Sequence, residues 1–176
     1  DGPAMRYRLL ETIRQYARDK LFESGEAAAL RARHLLWFLA LAESLPTQAE
    51  RLAPYAAEAP WYTRPRPIDI RYVGDPPRIL RDKVLAGEAP SAPRASVWMR
   101  AAGELPDDPL LHVCAVTFAS DMTLLDSTLL QHGLAFGKDP LMLASLDHAM
   151  WFHRPFRADE WFLYDQSSPA TVGGRG

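Results

Sequence analysis

From Leu110 to Ala119 the sequence Leu-Leu-His-Val-Cys-Ala-Val-Thr-Phe-Ala is apolar almost all the way round a helical turn. A helix without a polar face must be covered on nearly every side, so this stretch predicts a central, enclosed helix. Its start is written just upstream. In Pro106-Asp107-Asp108-Pro109, Asp107 or Asp108 can accept from the free amides of the first turn, and Pro109 sits close to the first helical position, where its missing N–H costs nothing.

A covering layer is sought in segments that alternate. Ile68, Ile70 and Tyr72 alternate with Asp69, Arg71 and Val73, the pattern of a half-buried strand. Ala95 to Ala101 reads as a second strand. Between them Pro76, Pro77, Pro90 and Pro93 predict a loop with at most one turn of helix at Arg78 to Leu85. Beyond the central helix, Leu141 to Phe152 and Glu160 to Asp165 read as two further strands separated by a turn at Arg154-Pro155-Phe156. The order is strand, strand, buried helix, strand, strand. A curved antiparallel sheet wrapped round a helix is one α+β solution to that order, and periodicity alone leaves other α+β folds open.

The first part of the chain has a helical period. Leu9, Leu10, Ile13, Tyr16, Ala17 and Leu21 fall at steps of three and four, which predicts an amphipathic helix over residues 6 to 22. Ser24-Gly25 ends it, and Glu26 to Glu43 forms a second helix, so the two read as a helical hairpin. Prolines at 46, 54, 60 and 65 then mark a linker with a weak helix at Gln48 to Ala57. The expected organisation is a hairpin over residues 1–45, a linker over 46–60 and an α+β domain over 61–176.

Composition limits the partners. With 176 residues, 48% hydrophobic and 24% charged, the chain can bury a core. A formal net charge of −2 supplies no basic field for nucleic acid or an anionic membrane. The longest apolar run, Leu35 to Ala42, is far short of the roughly 20 residues a bilayer requires. The first residues lack a basic stretch followed by an apolar one, so no secretory signal is expected. A single cysteine, Cys114, forms no internal disulfide, and the expectation is a reducing cytoplasm.

Three segments carry a resemblance: RPIDIRYV at Arg66 to Val73, ASDMTLLD at Ala119 to Asp126, and ASLDHAMWFHRPFRADEWFLYDQSSP at Ala144 to Pro169. In this order and spacing they resemble the second hotdog domain of the acyl-CoA thioesterase II family. The resemblance implies a hotdog fold, hydrolysis of fatty acyl-CoA to free acid and coenzyme A, and neither metal nor organic cofactor. It further implies catalytic roles for Asp121, in Ala119-Ser120-Asp121, and for Ser145, in Ala144-Ser145-Leu146-Asp147-His148. The family's third group, a glutamine in its last strands, has no matching position here, so the hotdog is expected to be incomplete and to self-associate through an open sheet edge. Arg6 to Glu43 resembles instead a helical segment that follows the ATPase core of LuxR-type transcriptional regulators. It has neither a phosphate-binding loop nor a DNA-reading module. Two unrelated resemblances in one chain imply a fused or truncated reading frame, and the alternative to an enzyme is an inactive fragment acting as an interaction module.

The chemistry asks for little. Thioester hydrolysis needs a water, a group that takes its proton and donors for the developing oxyanion. Asp121 is the candidate general base, and Ser145 the candidate hydroxyl that orients the water without forming an acyl-enzyme, since no histidine is identifiable as its base. His148 and His153, an odd number apart, point to opposite faces of an uninterrupted strand, which disfavours a shared metal. They are expected to be structural, and Trp151, Phe152, Phe156 and Trp161 to form core or acyl-tunnel wall. Cys114, inside the apolar helix, is expected to be buried and inert. Arg78, Arg81 and Lys83 read as a solvated basic face rather than as contacts to coenzyme A phosphates.

Overall fold

The alternation at Ile68, Ile70 and Tyr72 does form a strand, β1 (Ile68–Tyr72), with these three side chains buried and the intervening ones half-exposed. The computed structural model that shows this describes residues 11–88, 94–130, 132–136, 139–169 and 171–172. Strand β2 (Arg94–Ala101) pairs antiparallel with β1, in a register that sets Ile70 opposite Met99 and Tyr72 opposite Val97. Strand β3 (Phe162–Ser167) pairs antiparallel with the other edge of β2 and places Phe162 beside Met99 and Tyr164 beside Val97. The sheet order is β1-β2-β3.

Because strand side chains alternate, this register gathers Ile68, Ile70, Tyr72, Val97, Met99, Phe162 and Tyr164 on one face. That face is the core, and it closes against Ala119 and Met122. Ala119 lies near the end of the predicted helix (Pro109–Asp121), whose N-cap is Asp108, accepting at 2.9 Å from the Leu110 amide, with Pro109 in the first turn. Upstream of it the chain forms helices α1 (Glu11–Glu23), α2 (Ala27–Ser44), α3 (Gln48–Leu52) and α4 (Pro77–Leu85), so this helix is α5. A short α6 (Asp126–Leu130) follows it.

The enclosure expected for α5 is not found. Only His112, Ala119 and Ser120 are buried; Leu110 is 68% exposed and Phe118 55%. The helix meets the sheet core at Ala119, near its C-terminal end, while the short α6 lies against β2 and β3, so most of the length of α5 has no layer over it among the described residues.

The strand expected from Leu141 to Phe152 is also absent. The segment has no regular secondary structure and joins none of the three strands. It lies beside α5, where side chains rather than a backbone ladder hold it. The single helical turn expected after the first strand is in fact a nine-residue helix, α4.

Contacts divide the chain into Asp1–Leu41 and Ala42–Gly176. In the first unit α1 and the opening turns of α2 meet at Ser24-Gly25, as the sequence predicts, with Gly25 at φ +74°, a backbone conformation that favours glycine. Residues 6–10 of the predicted first helix lie outside the described residues. Ile13, Tyr16, Phe22 and Trp37 are exposed there. No described helix is long and apolar enough to cross a membrane.

In the second unit, residues 42–62 pack on β1. Thr47 caps α3 by accepting from the Glu50 amide while the Glu50 carboxylate accepts from the Thr47 amide, which satisfies two amide donors at the helix start. Arg71, on the outer face of β1, donates from Nη1 to the carbonyls of Ala42 (3.1 Å), Glu43 (2.6 Å) and Leu45 (3.1 Å). Ala42 and Glu43 lie in the last turn of α2, where carbonyls lack the amide four residues on, though Ala42 also accepts from the Leu45 amide at 3.3 Å, and a guanidinium complements the negative end of the helix dipole.

Candidate active site

Asp121 is the last residue of α5, two positions beyond Ala119, which the sheet core buries. Ser145 lies in the irregular segment beside that helix. Its Oγ donates to Asp121 Oδ1 at 2.7 Å. The two residues predicted from the motifs are therefore in direct contact, and both are exposed to solvent.

Cys114, Thr117, Phe118, Asp121, Met122 and His148 line a cleft of about 490 Å³ along α5. Cys114 is an exposed thiol on its wall, not the enclosed one expected, because the side of α5 that carries it is the uncovered side. His148 reaches the same cleft, with Nε2 3.1 Å from Ser120 Oγ. Ser120 Oγ also lies within hydrogen-bond reach of the Thr117 carbonyl, at 2.8 Å, and of Met150 Sδ, at 3.5 Å. The sequence leads to a structural role for His148. Its position three residues after Ser145 was the signal that could have placed it beside the site.

Tyr164 faces the same region from β3. Its phenol is pushed above the ordinary value, first by burial and then by the negative charge of Asp121. A second space, of about 240 Å³, adjoins the first, and Asp121 and Met122 line both. Tyr72, Arg78 and Asp126 contribute polar groups to it. Tyr72 Oη donates to Asp126 Oδ2 at 2.7 Å. Burial drives the Asp126 carboxyl up from 3.8 to about 7, against the opposing effect of that hydrogen bond, because a charged carboxylate loses its hydration there.

The three basic residues of the first loop are not a solvated face. Arg81 makes a bidentate pair with Asp139, at 2.9 Å from Nε to Oδ2 and 3.0 Å from Nη2 to Oδ1. Lys83 pairs with Asp75, and Arg78 is only 2% exposed, paired to Glu58. The aromatic residues also divide. Trp151 is 75% exposed, and Phe152 stacks on Phe156 with ring centroids 5.5 Å apart. Trp161 lies on the outer side of the sheet between the guanidiniums of Arg71 and Arg100, 4.9 and 4.3 Å from its centroid, so it is not part of a tunnel beside α5.

Residues 69–176 match the acyl-CoA thioesterase family. Among curated proteins, acyl-coenzyme A thioesterase 8 of Mus musculus is 39% identical over 111 residues, covering 62% of this chain and 32% of the relative. Acyl-CoA thioesterase 2 of Haemophilus influenzae is 31% identical over 118 residues, covering 65% and 41%. The chain thus spans about a third of the length of the first of these relatives and two fifths of the second. A crystal structure of an acyl-CoA thioesterase II from Mycobacterium marinum aligns with a TM-score of 0.51 at 41% identity, covering 76% of this chain and 43% of that one. Over 45 residues the chain is also 58% identical to a protein named as an HTH-type transcriptional regulator of Mycobacterium tuberculosis, 26% of this chain and 5% of the regulator.

Proposed function

The chain belongs to the acyl-CoA thioesterase family, and from that premise we propose that it hydrolyses fatty acyl-CoA to free fatty acid and coenzyme A with a water activated at Asp121 and Ser145. The observation that carries the proposal is the 2.7 Å hydrogen bond from Ser145 to Asp121, at a cleft along α5 that Asp121 lines. Because the hydroxyl proton of Ser145 is given to Asp121, the remaining lone pairs of Oγ can accept one proton of a water, and the second Asp121 oxygen can accept the other. Such a water turns its own lone pair outward, toward the carbonyl carbon of a thioester.

Attack forms the new C–O bond, and Asp121 takes the proton that the water loses. Collapse of the tetrahedral intermediate breaks the C–S bond, and that proton passes to the departing sulfur, leaving carboxylic acid and thiol. Ser145 positions the water and is not itself acylated. Thiol release from acyl-CoA substrates of increasing chain length tests the reading. We expect turnover in the purified chain, a loss of roughly tenfold in Ser145→Ala as one hydrogen bond to the water is removed, and no mass increment on Ser145 after quenching. A trapped acyl-serine at this position would replace the water mechanism, and a folded chain without turnover would remove the activity.

A second reading follows from the exposed Ile13, Tyr16, Phe22 and Trp37 of the first unit: an inactive protein whose helices bind a partner. Retention of turnover separates the two. We further propose that the chain works in the cytoplasm and self-associates through the outer edges of β1 and β3, which pair with no further strand among the described residues. Sedimentation at rising concentration tests the association, and a monomer throughout would contradict it.

A further inference from the structure

The space of about 240 Å³ that adjoins Asp121 has Met122, Leu125 and Leu129 of the α5–α6 region and Leu52 among its walls, and among its polar groups one has donors left over. Arg78 is 2% exposed and lines this space. Its Nη2 pairs with Glu58, and its plane lies over the Tyr55 ring, 4.9 Å from the centroid. Its Nε and Nη1 are buried with no hydrogen-bond partner among the described residues. Buried donors of a charged group are costly to leave unpaired, and a guanidinium offers them in a fixed fork suited to oxygen acceptors.

Resting on the thioesterase reading, we propose that this space receives the acyl group of the substrate and that Arg78 selects acyl groups with an acceptor oxygen, a hydroxyl, keto or carboxylate group, near the end remote from the thioester. Asp121 at one part of the lining and Arg78 at another give the chain its direction. A volume of about 240 Å³ holds roughly eight heavy atoms at ~30 Å³ each, so the oxygen belongs on a medium-length chain. Glu58 already offsets the charge of Arg78, which makes hydrogen-bond acceptance the requirement and lets a neutral hydroxyl serve.

The test compares octanoyl-CoA, 8-hydroxyoctanoyl-CoA and the CoA monothioester of octanedioic acid as substrates. In parallel, binding of the three free acids is followed by titration calorimetry. Either oxygenated chain should exceed the plain chain by about tenfold to a hundredfold in kcat/KM and in affinity, the gain expected of one or two hydrogen bonds to a charged donor. Arg78→Met, which keeps an unbranched stem without the guanidinium, should erase the preference, and Arg78→Lys should restore part of it. A gain for both oxygenated chains identifies acceptance as the criterion, and a gain for the carboxylate alone identifies charge. Equal handling of all three by the unaltered chain overturns the proposal, as does a preference that survives in Arg78→Met. If no thioester is hydrolysed, the enzymatic reading fails, and the free-acid affinities still decide whether Arg78 binds an oxygen.

Discussion

The two faces of the three-stranded sheet are closed by different physics. On the outer face a charged lattice does it: Arg71 binds the carbonyls of residues 42, 43 and 45, Arg100 pairs with Glu43 at 3.0 Å and lies opposite Asp69, and Trp161 lies against both guanidiniums while donating to Glu43 at 2.7 Å. On the inner face the closure is apolar. Ile70, Val97 and Met99 meet Ala119 and Met122, and beyond that single layer the far side of α5 is open. The outer face is specified by geometry that few substitutions can reproduce, whereas the inner face is specified by burial and leaves Asp121 accessible at the helix end. The outer face thus serves stability, and the open side of the inner face is where the proposed chemistry lies.

Arg71→Met breaks the outer closure and should have the largest effect on stability. It removes the bonds to the end of α2 and leaves Asp69 short of a partner, for an expected loss of about 2–4 kcal/mol. Denaturant unfolding followed by circular dichroism measures it, and a loss under about 0.5 kcal/mol would place the outer lattice among surface ion pairs of no consequence.

Asp126 sharpens the description of the inner face. Its carboxyl titrates at about 7 in the folded protein against 3.8 ordinarily. Between those values the folded state holds a proton that the unfolded state has released. Its contribution to stability is therefore present below about pH 4, declines as pH rises toward 7 and is lost above it. Asp126→Asn keeps an acceptor for Tyr72 and carries no charge to desolvate. It should raise stability at pH 8 by about 1–3 kcal/mol and flatten the dependence between pH 4 and 7, read by thermal unfolding across that range. An unchanged pH profile would show that the carboxyl is hydrated.

Phe118→Ser should have the smallest effect, within about 0.5 kcal/mol, since the ring is 55% exposed on the open side of α5. A cost of several kcal/mol, of the size that emptying a packed core produces, would show that this side is covered in solution.

What was legible in the sequence follows the same division. The alternation of β1 and the Asp108-Pro109 start of α5 are local patterns with local causes, and both form where they were expected. The apolar run of α5 showed that the helix wants burial but not how many layers are there to supply it, so its enclosure and a buried Cys114 were inferred too readily. Leu141 to Phe152 has strand-like composition, but a strand exists only by pairing, and no property of the segment itself supplies a partner. Asp121 and Ser145 were reached through motif resemblance, not through spacing, since 24 residues of chain separate two side chains that touch. His148 in the cleft, Arg71 at the helix end and the unpaired donors of Arg78 were hidden because each depends on what a distant segment brings to it.

The central claim is that Asp121 takes the proton of the attacking water, and thiol release by Asp121→Asn measured against the unaltered chain tests it most directly. Asparagine preserves the size of the side chain and can still accept from Ser145, but it is no base, so turnover should fall by about a hundredfold to ten-thousandfold with the fold and thermal stability retained. Turnover in Asp121→Asn equal to that of the unaltered chain would contradict the account.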